Sequence, residues 1–247
     1  MTTILGAAAS GMVYGQSVID AVANNLANVN TFGFKKTRTV AEGRPDALAT
    51  TDTLRMGVAE TTQDMIFNAG SPQVTGDPLN FTIQDDTFFR VQDADGSTAF
   101  TRFGALAVDS ARNITAFRGR LLDPPISLPA DLANPEIGAD GAITAKDAAG
   151  ASQLVGQLSL FRFTNPQGLL AIGGGLYSET VNTGQVSEGT PGTPGFAELR
   201  TSALEGSNVD MAEEFTNLLM AQRAYEAAAK TFSVGDQMLS VATNLTR

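Results

Sequence analysis

Cysteine, histidine and tryptophan are all absent from this 247-residue chain, and each absence closes a route. Without cysteine no disulfide can form, so the fold is indifferent to the redox state of its compartment. Without histidine the commonest general base and metal ligand is missing. Cys–His zinc sites and Ser–His triads are therefore excluded, and no cofactor or metal is expected. Positive charge is also scarce: 16 Lys and Arg stand against 26 Asp and Glu, for a net charge of -10. That balance argues against nucleic acid, whose phosphates demand clustered cations, and against docking on an anionic membrane. No run approaches the roughly 20 apolar residues that span a bilayer, so membrane insertion is not expected. The N-terminus carries no Lys or Arg before Lys35, and Gly6 and Gly11 break its apolar run. A cleaved secretory signal is accordingly not expected.

What remains is a foldable chain, with 43% hydrophobic and 17% charged residues, long enough for one large or two modest domains. Its character changes along its length. Residues 3–29 lack proline and show helical periodicity, with Leu5, Ala8, Met12, Gly15, Ile19, Val22, Leu26 and Val29 alternating three- and four-residue steps. This is the spacing of a coiled-coil seam. The helix should end between Asn28 and Gly33, which suit turn or left-handed backbone. A second proline-free stretch covers residues 210–244, with Asp210 or Asn208 as its N-cap. One heptad set there reads Leu218, Tyr225, Phe232 and Leu239, and another Ala221, Ala228, Gly235 and Ala242. Large and small residues alternate, so a partner helix can approach closely at the small ones.

Between these helices lie short runs such as Thr87-Phe-Phe-Arg-Val-Gln92 and Gln157-Leu-Ser-Leu-Phe-Arg-Phe163, separated by Gly, Pro, Asn and Asp. They predict an antiparallel β domain. The expected class is α+β, with long N- and C-terminal helices pairing as a coiled coil around a central, mostly antiparallel β domain. The expected divisions are 1–35 (helix and turn), 36–59 (connector), 60–207 (β domain) and 208–247 (helix). Residues 38–53 show neither period and predict an extended or mobile segment. Residues 184–195, containing Thr-Pro-Gly-Thr-Pro-Gly, predict an exposed loop.

Fragments that suggest chemistry do not hold together. Asp93-Ala-Asp95-Gly96 lacks the later ligands of a calcium loop and suits a hairpin turn. Asp85-Asp86, read as strand residues, would point to opposite faces, while Glu213-Glu214 sits in a first helical turn where it favours the dipole. Gly173-Gly174-Gly175 precedes a strand, not the helix a phosphate loop needs. A wall-directed hydrolase or sugar-binding β domain is the competing class, and a compact binding module a third.

Two long terminal helices have little of their own to bury against, and isolated helices are marginal in water. The arrangement suits association, with an intramolecular helix hairpin packed on the β domain as the other reading. The residues Ala23-Asn-Asn-Leu-Ala-Asn-Val-Asn-Thr-Phe-Gly-Phe-Lys35 resemble the N-terminal signature of bacterial flagellar rod and hook proteins. Leu204-Glu-Gly-Ser-Asn-Val-Asp210 and Gln222-Arg-Ala-Tyr-Glu226 resemble their C-terminal blocks, and Phe100-Thr-Arg-Phe-Gly104 is similar to their middle. The likeness covers nearly the whole chain and is closest to the distal-rod branch, with proximal-rod or hook-type subunits as the alternative. Residues 36–57 form a shorter connector than that branch has, and Asp85-Asp86 stands where it has a Gly-rich turn.

The resemblance implies a structural subunit, not an enzyme, that self-assembles into a helical homo-oligomer beside other rod and hook subunits, inside surrounding ring proteins. It implies uncleaved export by the flagellar type III apparatus and transmission of torque. The assembly residues implied are Leu5, Met12, Ile19, Val22, Asn24, Asn25, Leu26 and Asn28 on the first helix. On the second they are Leu218, Ala221, Gln222, Arg223, Tyr225, Ala228, Phe232 and Leu239. Asn is a poor interior helix former, so Asn24, Asn25 and Asn28 are expected to bond across an interface or to shape the helix end.

Overall fold

A computed structural model describes residues 2–43, 58–92 and 96–245. The chain divides into two compact units: one formed by residues 1–29, 36–66 and 209–247, the other by residues 30–35 and 67–208. Both terminal helices are present, α1 (Thr2–Ala27) and α2 (Met211–Leu245), and every strand pair among the described residues is antiparallel. The α+β reading therefore stands.

In the helical unit α1 and α2 run antiparallel. Leu5 faces Gly235, Gly11 faces Ala228, Gly15 faces Tyr225 and Asn25 meets Glu214. A methyl group placed on Gly15 would lie 3.3 Å from the Tyr225 Cβ, so glycine is what lets the aromatic residue settle against α1. The relation reverses at the other end, where Gly235 makes room for Leu5. Large side chains thus meet small ones in both directions, as the alternating heptads of α2 predict. Asp210 is the N-cap: its Oδ1 accepts from the Ala212 and Glu213 amides at 2.8 and 3.2 Å.

The segment expected to be an extended or mobile connector contributes, where it is described, to a two-stranded ribbon. β1 (Thr37–Gly43) pairs with β2 (Val58–Met65), Thr39 opposite Gln63 and Ala41 opposite Thr61. A domain boundary at residue 60 therefore falls inside β2. The strand escapes pattern reading because it is Thr-rich and its inward contacts are polar: Thr39 Oγ1 donates to the Ser17 carbonyl of α1 at 3.2 Å. Residues 44–57 of that segment, and Asp93 to Asp95 of the turn, lie outside the described residues.

The β unit is built around the strand Thr87–Gln92, which is bonded to Thr98–Thr101, Arg120–Leu122 and Leu160–Phe163. Among the described residues this sheet has nine strands. Phe88 and Phe89, adjacent and both fully buried, show that it is covered on both faces. Phe89 packs 5.3 Å from Phe81 within a core that includes Ile83, Val91, Ile114, Ile143 and Leu160. On the other face Phe88 meets Phe67, Phe163 and Tyr177 edge-on at 5.3 to 5.7 Å.

Two further expectations need correction. The stretch 184–195 is not wholly loop, because Val186–Gly189 is a strand paired with Leu160–Phe163. Its exposed polar residues conceal a strand on the sheet's margin. Asp85 and Asp86 lie in the bend between strands. There the Asp85 carboxylate accepts from Thr87 Oγ1, from Arg162 at 2.8 Å and from the Ala197 amide at 3.1 Å.

Candidate functional site

Three features gather charged and polar residues, several of them from the signature blocks. The first is the end of α1. Asn25 is buried, and its amide is paired as a strand would be: Oδ1 accepts from the Thr37 amide at 3.0 Å, while Nδ2 donates to the Thr37 carbonyl at 2.9 Å and to Glu214 Oε2 at 3.1 Å. One side chain thereby joins α1, β1 and α2. Asn28 Nδ2 donates to the Asn24 carbonyl at 2.9 Å and so shapes the helix end. Of the two roles expected for these asparagines, shaping the helix end is seen at Asn28, while the bonds of Asn25 lie within one chain. Nearby, Lys36 Nζ reaches Glu213 Oε2 at 3.0 Å. Asn25→Ala would leave the Thr37 amide and Glu214 short of partners. The expected cost is about 2–3 kcal/mol in urea unfolding followed by helical circular dichroism, with a smaller loss for Asn28→Ala.

The second feature is a groove of about 520 Å³ within the helical unit, walled by Tyr14 and Val18 of α1, Arg38 of β1, and Glu213, Asn217 and Met220 of α2. Its lining mixes apolar and charged groups and includes the contact residue Ala221.

The third feature, which sequence reasoning missed, is an ion cluster inside the β unit. Lys35, Arg102 and Glu205 are each almost completely buried. Glu205 Oε1 accepts from Lys35 Nζ at 2.5 Å and from the Gly70 amide at 2.9 Å, and Oε2 accepts from Arg102 Nε at 3.1 Å. Arg102 also donates to the carbonyls of Asp85 and Thr87 at 2.7 and 3.0 Å, and Lys35 to that of Asn68 at 2.8 Å. Two cations thus share one carboxylate out of contact with water. Lys35, Arg102 and Glu205 each stand in one of the similar blocks, but those blocks carry other polar and charged residues too, so no local signal singles the three out. Gly33, at φ 69°, turns the chain so that its amide donates to the Glu205 carbonyl at 2.7 Å, the left-handed role expected of it.

Burial, reinforced by the Arg102 charge and partly offset by Glu205, pulls the Lys35 ammonium down to about 8 from 10.5. Burial likewise pushes the Tyr177 phenol up to about 12 from 10.0. Between pH 8 and 10 the unfolded chain therefore binds more protons than the folded one, and the β unit should gain stability with rising pH. Above pH 10 the unfolded Tyr177 ionises first, which opposes the gain. Unfolding at stepped pH should show this rise, at no more than about 1.4 kcal/mol per pH unit, and Lys35→Met should abolish it.

On α2, Ala221 is buried, Ala228 and Tyr225 face α1, and Leu218 and Leu239 are half-buried, whereas Gln222 and Arg223 are exposed. On α1, Val22 is buried, Leu5, Met12, Ile19 and Leu26 are half-buried and Asn24 is exposed. The same helix pair leaves large apolar side chains in solvent. Met211, Phe215 and Leu219 follow one another at four-residue steps, and Phe215 and Leu219 are 50% and 57% exposed. Met220, Val234, Met238 and Val241 form further exposed positions. A helix apolar on more than one side is a helix that is buried when at work. Among the described residues no helix is long and apolar enough to cross a membrane.

Comparison with known proteins bears on the whole chain. Residues 5–35 match the family described as flagella basal body rod protein, residues 82–145 the flagellar hook protein FlgE/F/G D1 domain, and residues 200–245 the flagellar basal body rod FlgEFG protein C-terminal. The chain is 38% identical to the flagellar basal-body rod protein FlgG of Borreliella burgdorferi, with all of both chains covered. It is 35% identical to that of Bacillus subtilis, over 96% of this chain and 97% of the relative. It is also 38% identical to the flagellar hook protein FlgE of Escherichia coli, over 47% of this chain and 29% of that one.

Proposed function

Because this chain belongs to the FlgG family of flagellar basal-body rod proteins, a structural subunit of the flagellar rod and not an enzyme, we propose how it assembles. Copies polymerise helically through the terminal helices: α1 and α2 pair within each subunit, and the uncovered sides of α2 pack against neighbours. The exposure of Phe215, Leu219, Met220 and Met238 on a helix already covered along its α1 side carries this reading. Asn24, Gln222 and Arg223 supply polar contacts at the rim of that interface, and the half-buried Leu5, Met12, Ile19, Leu26, Leu218 and Leu239 complete their burial there. Phe232, 38% exposed, joins them.

The neighbours are further copies and the adjoining rod and hook subunits, with ring proteins outside. Many repeated helix contacts give a stiff shaft that passes torque onward without any chemistry. The match to rod relatives along their full length, against 29% of the hook relative, supports a place in the distal rod over the hook.

The reading is tested by raising the concentration of the purified full-length chain and following polymer in negative-stain micrographs. Concentration-dependent filaments are expected. A chain that stays monomeric, and also fails to enter rods when expressed in cells lacking their own rod subunit, would refute it.

A further inference from the structure

The chain passes between its two units at residues 29/30, 35/36, 66/67 and 208/209. Inside the β unit, the segments next to these passages converge on one carboxylate. Glu205 Oε1 holds Lys35 Nζ and the Gly70 amide, and its backbone carbonyl holds the Gly33 amide. Lys35 Nζ and Asn208 Nδ2 both donate to the Asn68 carbonyl, at 2.8 and 3.2 Å, and the Gly206 amide donates to the Ser71 carbonyl at 3.0 Å. Arg102 roots the group in the sheet through the Asp85 and Thr87 carbonyls. We propose that the Lys35–Glu205–Arg102 cluster is an anchor that fixes residues 33–35, 68–71 and 205–208, the stretches by which the chain leaves the β unit, to the central sheet.

Stability alone does not account for such a cluster. Apolar side chains of similar size usually stabilise an interior as well as a buried ion pair does, whereas charge-assisted bonds have direction. What directed bonds add is position. Each exit stretch is held by at least one hydrogen bond to, or beside, the same carboxylate, so none can shift without disturbing the others. Gly70 and Gly206 press together so closely that a methyl group on Gly70 would lie 2.0 Å from the Gly206 carbonyl oxygen. The exit stretches are thereby packed to backbone contact as well as hydrogen-bonded.

A further consequence rests on the rod-subunit reading: force delivered by the terminal helices reaches the β unit in part through these three stretches, and the anchor resists it.

Hydrogen exchange on the full-length chain tests the anchor independently of that reading. In Lys35→Met, and more mildly in Asn208→Ala, the amides of Gly33, Gly70 and Gly206 should exchange about tenfold faster or more, while Phe89 and Val91 in the sheet keep their wild-type rates. Unchanged rates at the three glycines would overturn the proposal. Equal acceleration at Phe89 would overturn it too, because it would mark Lys35 as an ordinary core residue. In cells, rods built from the Lys35→Met chain should form in normal number but twist further under a stalled bead load. Normal twist would refute the mechanical consequence, whereas failure of the wild-type chain to form rods would count against the rod reading only.

Discussion

Replacing Glu205 by Gln is expected to destabilise the β unit by about 3–5 kcal/mol, far more than replacing Lys35 by Met. The substitution barely changes shape, so the loss is electrostatic. It leaves Lys35 and Arg102 facing each other in a site closed to water, with no carboxylate bonded to either. The Gly70 amide loses a charged acceptor at the same time. Lys35→Met removes the surplus cation and leaves the Arg102–Glu205 pair intact, at the cost of the bond to the Asn68 carbonyl. Its loss should therefore be the smaller, and smaller still at pH 7 than above pH 10. At pH 7 the wild-type folded state keeps the buried Lys35 charged, near the low end of the window opened by its pKa of about 8. Thermal melts of the three chains, compared at pH 7 and pH 10, give both the order and the pH difference.

The second large effect concerns the uncovered sides of α2. Phe215→Asp combined with Met238→Asp should abolish polymerisation while leaving the monomer's melting temperature almost unchanged. Both side chains are at least half exposed in the single chain, so the monomer forfeits little apolar burial when they change. In an assembly the same positions would bury a charge against an apolar neighbour with nothing to pair it. The contrast with the α1-facing side of α2 is instructive. A bulky residue at Gly15, whose added methyl alone would touch Tyr225, should weaken helix pairing within the monomer and impair assembly only as a consequence.

How much of this was legible in the chain depends on what each segment buries. The helices announce themselves because their apolar and small residues recur at helical spacing, and the sequence narrows the cap of α2 to Asp210 or Asn208, between which the structure selects Asp210. Thr87–Gln92 was readable as a strand because Phe88, Phe89 and Val91 stand in a β-favouring run. Val58–Met65 and Thr37–Gly43 were not, since a ribbon of Thr, Glu and Gln paired edge to edge carries no period-two apolar signal. Val186–Gly189 failed for the same reason, being polar and largely exposed. The ion cluster was hidden differently. Lys35, Arg102 and Glu205 are far apart in sequence, and nothing in any one segment says that its charge faces inward.

The resemblance of the blocks to flagellar proteins was visible from residues, and comparison along the full length bears it out. Which faces of α2 meet a neighbour was not visible. The heptads of α2 suggested a partner helix without identifying it, and Tyr225 and Ala228 face α1 of the same chain. A periodic stripe says that a helix has a partner; it does not say whose.

The absence of cysteine supplies the most direct test of assembly through α2, because any introduced thiol is the only one present. Met238→Cys and, as a control, Val181→Cys on the β unit can each be labelled with a maleimide in the monomer and in assembled rods. Met238 is 57% exposed and Val181 fully exposed in the single chain, so both variants should react readily as monomers. In rods the Met238→Cys thiol should become protected while the Val181→Cys thiol continues to react. A Met238→Cys thiol that labels as fast in rods as in the monomer would contradict the account.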